Sequence, residues 1–161
     1  MNSGPAALYI HIPFCAKKCD YCDFYSIPVN DGGGGRLMDG FIEALAKDIE
    51  GQIKAFGAEA LSSVYIGGGT PSLLGSRRMK ELLDFLAAVL REYRRSPHEI
   101  AEFTVEVNPE SLDEDFLRVC AEGGVTRISC GVQTFSEAAR RAVGRGGGIG
   151  RLKSALSLLG E

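Results

Sequence analysis

Strand-like runs alternate with helix-like runs along this chain, and that order constrains its fold more than any other feature. The strand runs fall at Leu8–Ile12, Ser63–Ile66, Phe103–Val107 and Arg127–Val132. Between the first two, Met38, Phe41, Ile42, Leu45, Ile49 and Ile53 recur at helical spacing, which predicts an amphipathic helix over Leu37–Phe56. Met79, Leu82, Leu83, Leu86, Leu90 and Tyr93 form a second stripe. Asp113–Ala121 reads as a third helix, stopped by Gly123-Gly124. Ser136–Val143 and Arg151–Leu159 are helical in pattern, with a glycine-rich break at Gly144–Gly150. Such alternation predicts an α/β class with a parallel sheet. With 161 residues, 45% apolar and 24% charged, the chain is large enough for one domain with its own core.

The strands have unequal faces. Alternate residues of a strand point to opposite sides. Leu8, Ile10 and Ile12 therefore oppose Tyr9 and His11. Phe103, Val105 and Val107 oppose Thr104, Glu106 and Asn108, and Ile128, Cys130 and Val132 oppose Arg127, Ser129, Gly131 and Gln133. Parallel strands covered by helices on both sides usually read as unbroken apolar runs. One polar face shared by these strands predicts either a ligand-holding lumen or a face open to water.

Charge and composition narrow the setting. A net charge of −3 gives no whole-chain case for a nucleic-acid partner. The segment from Arg127 onward is locally basic, and its arginines read as solvated charges. No apolar run is long enough to span a membrane. Met1–Pro5 lacks the basic and apolar regions of a secretory signal, so a cytosolic location is expected. In that reducing setting five cysteines are expected as free thiols or metal ligands.

Cys15, Cys19 and Cys22 stand in a C-x3-C-x2-C loop directly after the first strand. Three thiolates so close in sequence can wrap one metal centre. An iron–sulfur cluster is usually held by four cysteines, so three would leave one iron open to another chelator. Zinc bound by the three thiolates and His11 is a second reading, although structural zinc usually takes paired C-x2-4-C units. Chance placement is a third. Cys120, on a helix, and Cys130, on an apolar strand face, read as core residues. Gly67-Gly68-Gly69-Thr70 follows a strand and precedes a helix, where free N–H groups can bind a carboxylate. It matches neither G-x-G-x-x-G nor a Walker motif, and a ligand-free tight turn is the alternative.

The stretch from Tyr9-Ile10-His11-Ile12-Pro13-Phe14-Cys15 through Cys22-Asp23-Phe24 resembles the cluster loop of radical S-adenosylmethionine (SAM) proteins. It is most similar to the oxygen-independent coproporphyrinogen III oxidase group. Three further matches follow in order: Gly67–Ser72, Glu106-Val107-Asn108-Pro109-Glu110, and Arg127–Phe135. The resemblance runs from Leu8 to about Arg145 and favours the cluster over zinc. It implies a [4Fe–4S] cluster on Cys15, Cys19 and Cys22, with SAM chelating the fourth iron. It also implies a reducing electron donor and one-electron cleavage of the sulfonium to methionine and a 5′-deoxyadenosyl radical. By the same resemblance Tyr9, Tyr21, Gly68, Gly69, Thr70, Glu106, Gln133 and Arg145 contact SAM. An exposed, solvated Arg145 is the alternative for that residue, and a structural hydrogen bond is the expected role of His11.

Phe24 sorts the chain within the group. The oxidases carry a fourth cysteine there, whereas the heme-chaperone type has a Phe or similar residue. The resemblance thus implies a heme chaperone, with heme as partner, and a porphyrinogen-oxidising enzyme as the alternative. Radical SAM cores resemble a partial barrel of six β/α units, and about four are legible here. Residues 1–161 are accordingly expected to be a truncated core domain with its cluster loop at 12–26. The rest of the barrel and a histidine-bearing heme-binding segment would be absent, and an inactive fragment is the third alternative.

Overall fold

The computed structural model describes residues 6–29, 34–56, 61–93 and 95–160. Among these, four parallel strands form one sheet in the spatial order β1 (Ala6–Ile12), β4 (Leu61–Gly68), β5 (Glu102–Val107) and β6 (Arg127–Cys130). A two-stranded parallel ladder, β2 (Phe14–Cys15) with β3 (Ile27–Pro28), closes the base of the cysteine loop. The helices are α1 (Gly34–Phe56), α2 (Gly75–Glu92), α3 (Glu114–Glu122), α4 (Glu137–Ala142) and α5 (Gly148–Leu159). The α/β class and the parallel sheet are as the sequence predicts.

The unequal strand faces explain the layering. Ile10, Ile12, Val64, Ile66, Phe103, Val105 and Val107 are buried in one core with Ile42, Ile49 and Ile53 of α1. Met79, Leu82, Leu86 and Leu90 of α2 and Phe116 and Val119 of α3 complete it. These helix residues follow the i, i+3, i+4 rows that bring one stripe onto a sheet. The opposite face carries Tyr9, His11, Tyr65 and Glu106, linked by ring contacts and hydrogen bonds rather than by a covering helix. Thr104 shares their parity yet is fully buried, because Arg127 of the neighbouring strand lies over it and donates from Nε at 2.8 Å.

Several boundaries differ from the sequence pattern. Helix α1 begins at Gly34, ahead of the apolar stripe; Gly32 and Gly33 lie outside the described residues. Asp113 and Ser136 are caps rather than first helical residues, accepting from the Phe116 and Ala139 N–H groups. Strand β6 ends at Cys130, two residues early, where the chain turns toward Gln133. The glycine tract does not separate helices along its length. Gly147 takes a left-handed conformation with φ 76°, and α5 starts at Gly148 inside the tract.

Cys120 is buried on α3, as expected, and burial pushes its thiol up to about 12. Alkylation of the metal-free chain at pH 8 should therefore leave Cys120 unmodified, while the loop cysteines react; peptide mass mapping reads the difference. Asp113→Ala, which removes a helix cap, should lower stability by about 1 kcal/mol in urea denaturation.

Candidate functional site

The cysteine loop is set by its two ends. Phe14 is buried and packs edge-on against Phe41 of α1, with ring centroids 5.1 Å apart. The Ile27 N–H donates to the Pro13 carbonyl at 2.6 Å, and the Val29 N–H to that of Cys15 at 2.8 Å. The loop between Cys15 and Ile27 therefore leaves and rejoins the domain at one point. The glycine segment docks on the same place. Gly69 N–H donates to Ile12 O at 2.7 Å, and Thr70 N–H to Phe14 O at 2.8 Å. A Cβ on Gly69 would lie 2.6 Å from Phe14 O, so a side chain there would prise the two segments apart. Gly68, at φ 109°, packs against the His11 ring, which a Cβ would meet at 2.6 Å. The glycines thus allow chain to approach chain, and Gly68 and Gly69 also border the cavity.

That cavity, about 560 Å³, opens at the C-terminal ends of the strands. Cys15, Cys19, Cys22, Tyr21, Gly68, Gly69, Thr70, Glu106, Gln133 and Arg145 all line it. Of the residues that the resemblance assigns to the cluster or SAM, Tyr9 alone does not. It stands on the polar face and donates to, or accepts from, His11 Nδ1 at 3.0 Å. Cys15 Sγ lies 3.6 Å from Thr70 Oγ1. Among the described residues no three Cys, His, Asp or Glu side chains are gathered as ligands of a single ion. His11 has both ring nitrogens engaged, Nδ1 with Tyr9 and Nε2 with the Tyr25 carbonyl at 3.0 Å. The three loop thiols line one cavity, and in an iron–sulfur centre such ligands sit on different metal atoms.

The polar lining is pre-arranged. Glu106 accepts from Tyr65 Oη at 2.6 Å and from the Gly68 N–H at 3.1 Å. Its carboxylate raises the Tyr65 phenol above its ordinary range, chiefly through that hydrogen bond, with burial adding to it. Gly67 makes room for the contact, since a Cβ would sit 2.7 Å from Tyr65 Cε1. Gln133 is, among the described residues, the one non-glycine with a left-handed backbone, at φ 65°. Such strain persists where surrounding structure enforces it and clusters at ligand sites. Tyr21, half exposed, has its phenol raised by burial and drawn back by the adjacent Arg145 guanidinium.

The arginines depart most from the sequence reading. Arg140 is 1% exposed rather than solvated. It donates to Glu110 Oε1 at 2.7 Å and to the carbonyls of Val132 and Gly146 at 3.1 and 2.9 Å. Arg145 is likewise buried, donating to Gly131 O at 2.8 Å and pairing with Glu110 Oε2 at 3.7 Å. The sequence pattern gives no sign of this, because a basic segment on a helix normally faces water. Cys130 also differs in part. It packs against the core but borders the cavity as well, and burial raises its thiol.

With this geometry in place, comparison with known proteins is decisive. The radical SAM superfamily sequence pattern matches residues 9–161. The chain belongs to the radical SAM superfamily. It is 39% identical over 145 residues to the heme chaperone HemW of Lactococcus lactis, covering 90% of this chain and 35% of that protein. The Escherichia coli heme chaperone HemW is 38% identical over 154 residues, covering 96% of this chain and 39% of the relative. The chain thus spans about a third of the length of the curated relatives it matches. Among solved structures, the radical SAM enzyme coproporphyrinogen III oxidase (HemN) of E. coli superimposes with a TM-score of 0.75 at 29% identity. The match covers 96% of this chain and 34% of that one. An archaeal Elp3 from Methanocaldococcus infernus shares the fold alone, at 16% identity and a TM-score of 0.50. No described helix is long and apolar enough to cross a membrane.

The Arg140–Glu110 pair gives a stability prediction. Glu110→Ala leaves the Arg140 guanidinium, 2% exposed, without its counter-charge, so urea denaturation should show a loss of about 3–5 kcal/mol.

Proposed function

We propose that this chain is the cluster- and SAM-binding part of a heme chaperone of the HemW type. Cys15, Cys19 and Cys22 would hold a [4Fe–4S] cluster, and Tyr21, Gly68, Gly69, Thr70, Glu106, Gln133 and Arg145 would surround SAM, with Tyr9 beside them. The observation that carries the reading is the convergence of the three thiols and those seven side chains or backbones on one cavity. The donor set fits the group, because three soft thiolates suit iron–sulfur ligation and leave one iron without a protein ligand. When bound, the cluster would supply an electron and an open coordination site.

The rest of the work belongs to this chain's own residues. Glu106 keeps its carboxylate fixed by Tyr65 and Gly68 and offers it to an amine or hydroxyl in the cavity. Arg145 offers positive charge to the same cavity, beside Gly131 and Tyr21. Thr70 lines the cavity beside the first cysteine, its Oγ1 3.6 Å from Cys15 Sγ. Tyr21 contributes an aromatic face at the rim, suited to a flat base. The residues 1–161 would form about four β/α units of the core domain, working in the cytosol with a reducing electron donor. Heme would be the cargo of the whole protein.

Phe24 supports the chaperone over the oxidase. It lies at the cavity, 63% exposed, where the oxidase group would place another cysteine. The likeness to coproporphyrinogen III oxidase keeps oxidative decarboxylation of coproporphyrinogen III as the second reading.

Anaerobic reconstitution with iron and sulfide should give about four irons per chain. Changing any one of Cys15, Cys19 and Cys22 to Ala should lower iron and the 400 nm absorbance severalfold, whereas Cys120→Ala should not. One zinc and no iron would overturn the reading. A Soret shift with hemin, and no protoporphyrinogen IX from coproporphyrinogen III with SAM and reductant, would separate chaperone from oxidase.

A further inference from the structure

We propose that Glu110 is a positioning residue for Arg145, and that the buried Arg140 side chain is what holds Glu110 in place. The inference rests on the reading of the cavity as a SAM site and adds residues to which neither the sequence motifs nor the relatives' names give a role.

Two guanidinium groups share one carboxylate here. Arg140 takes Oε1 at 2.7 Å, and Arg145 faces Oε2 at 3.7 Å, an ion pair rather than a hydrogen bond. Arg140 is anchored from three sides, by Glu110, Val132 O and Gly146 O, and its side chain is 2% exposed. Glu110 therefore has little freedom. Gly147 seals it: a Cβ there would lie 2.2 Å from Glu110 Cγ, and its φ of 76° suits glycine.

Arg145 is held differently. It makes one hydrogen bond to a carbonyl, at Gly131, and its side chain is 8% exposed. Its Nε is buried with no hydrogen-bond partner among the described residues, and the residue lines the cavity. One carboxylate set against two guanidiniums leaves a cationic surplus on the arginine that faces the ligand. Arg140 Nε, away from the cavity lining, is buried and unpartnered in the same way, so it is the cationic surplus beside the cavity that suits this end to an anionic or acceptor group. Without Glu110, Arg145 keeps the Gly131 carbonyl and the neighbouring Tyr21 phenol but loses the carboxylate that sets the angle of its guanidinium. Outer partners of this kind commonly change affinity by about 10–100-fold, because they orient the group that touches the ligand.

The test uses the full chain, anaerobically reconstituted with iron and sulfide, and equilibrium dialysis against SAM. Glu110→Gln keeps the side-chain shape and an acceptor for Arg140, but turns an NH2 toward Arg145. We expect it to weaken SAM binding about 10-fold with iron content unchanged. Arg145→Gln should also weaken binding, and the double variant should bind no more weakly than Arg145→Gln alone. That non-additivity is the signature of action through Arg145. Should Glu110→Gln fold poorly, the paired change Glu110→Leu with Arg140→Leu replaces the ion pair with apolar contact and should show the same weakening. Unchanged SAM binding in both variants, or losses that simply add, would overturn the positioning role while leaving the SAM site standing. A wild-type chain that carries four irons and binds no SAM would overturn the site itself, and the inference with it.

Discussion

Everything at this site depends on how closely two backbones approach where the first strand runs out. Gly69 and Thr70 donate their N–H groups to Ile12 and Phe14, the last residues before Cys15. These bonds continue the β1–β4 ladder past the end of the sheet, whose last registered pair is Ile12 with Gly68. The cysteine loop therefore starts from a fixed point rather than a free strand end. The approach is possible because position 69 lacks a Cβ. A flexible loop can supply thiols, but only a pinned one can present them to the same cavity as the lining of a neighbouring strand.

Sheet parity then decides what that cavity contains. Each strand spends its apolar face on α1, α2 and α3, and the opposite face is left with Tyr9, His11, Tyr65 and Glu106. Tyr9 is largely exposed and the other three half-buried, and they partner one another within and across adjacent strands. Tyr65 on β4 and Glu106 on β5 meet in this way, with Gly68 completing the carboxylate's coordination. The result is a fixed acceptor at the strand ends. Beyond β6, the turn at Gln133 and the buried arginines close the far side and add positive charge. The cavity thus presents the Glu106 carboxylate and the Arg145 guanidinium together, charge of both signs to whatever it holds.

Much of this is legible in the sequence, and the part that is not has a clear physical origin. The α/β class, the strand faces and the three loop cysteines follow from spacing, because periodicities of two and of 3.6 are direct imprints of backbone geometry. The helix caps at Asp113 and Ser136 were one position from their pattern boundaries, since a cap carries the composition of a helix without its dihedral angles. Motif resemblance places Glu106, Gln133 and Arg145 in one cavity. Spacing alone gives the burial of neither arginine. Burial of Arg140 depends on Glu110, which is 30 residues away in sequence. A charge is read as solvated until its partner is known, and the partner lies on a different β/α unit. The same reasoning applies to Cys130, whose apolar parity points to the core while the early end of β6 exposes it to the cavity.

The Glu110 network changes how the basic segment after β6 is understood. Arg140, Arg145 and Arg151 could each be taken as a surface charge, yet all three turn back onto the loop between β5 and α3. Arg140 and Arg145 meet the Glu110 side chain, and Arg151 donates to the Leu112 carbonyl at 3.1 Å. Three cations converging on one short loop give that loop, and α4 and α5 with it, a single placement. A buried ion pair adds little net stability compared with a well-packed apolar pair. Its value here lies in geometry, because an apolar contact would fill the same space without fixing where a guanidinium points. The side chain that gains from such fixing is Arg145, which lines the cavity and has Glu110 as its carboxylate partner.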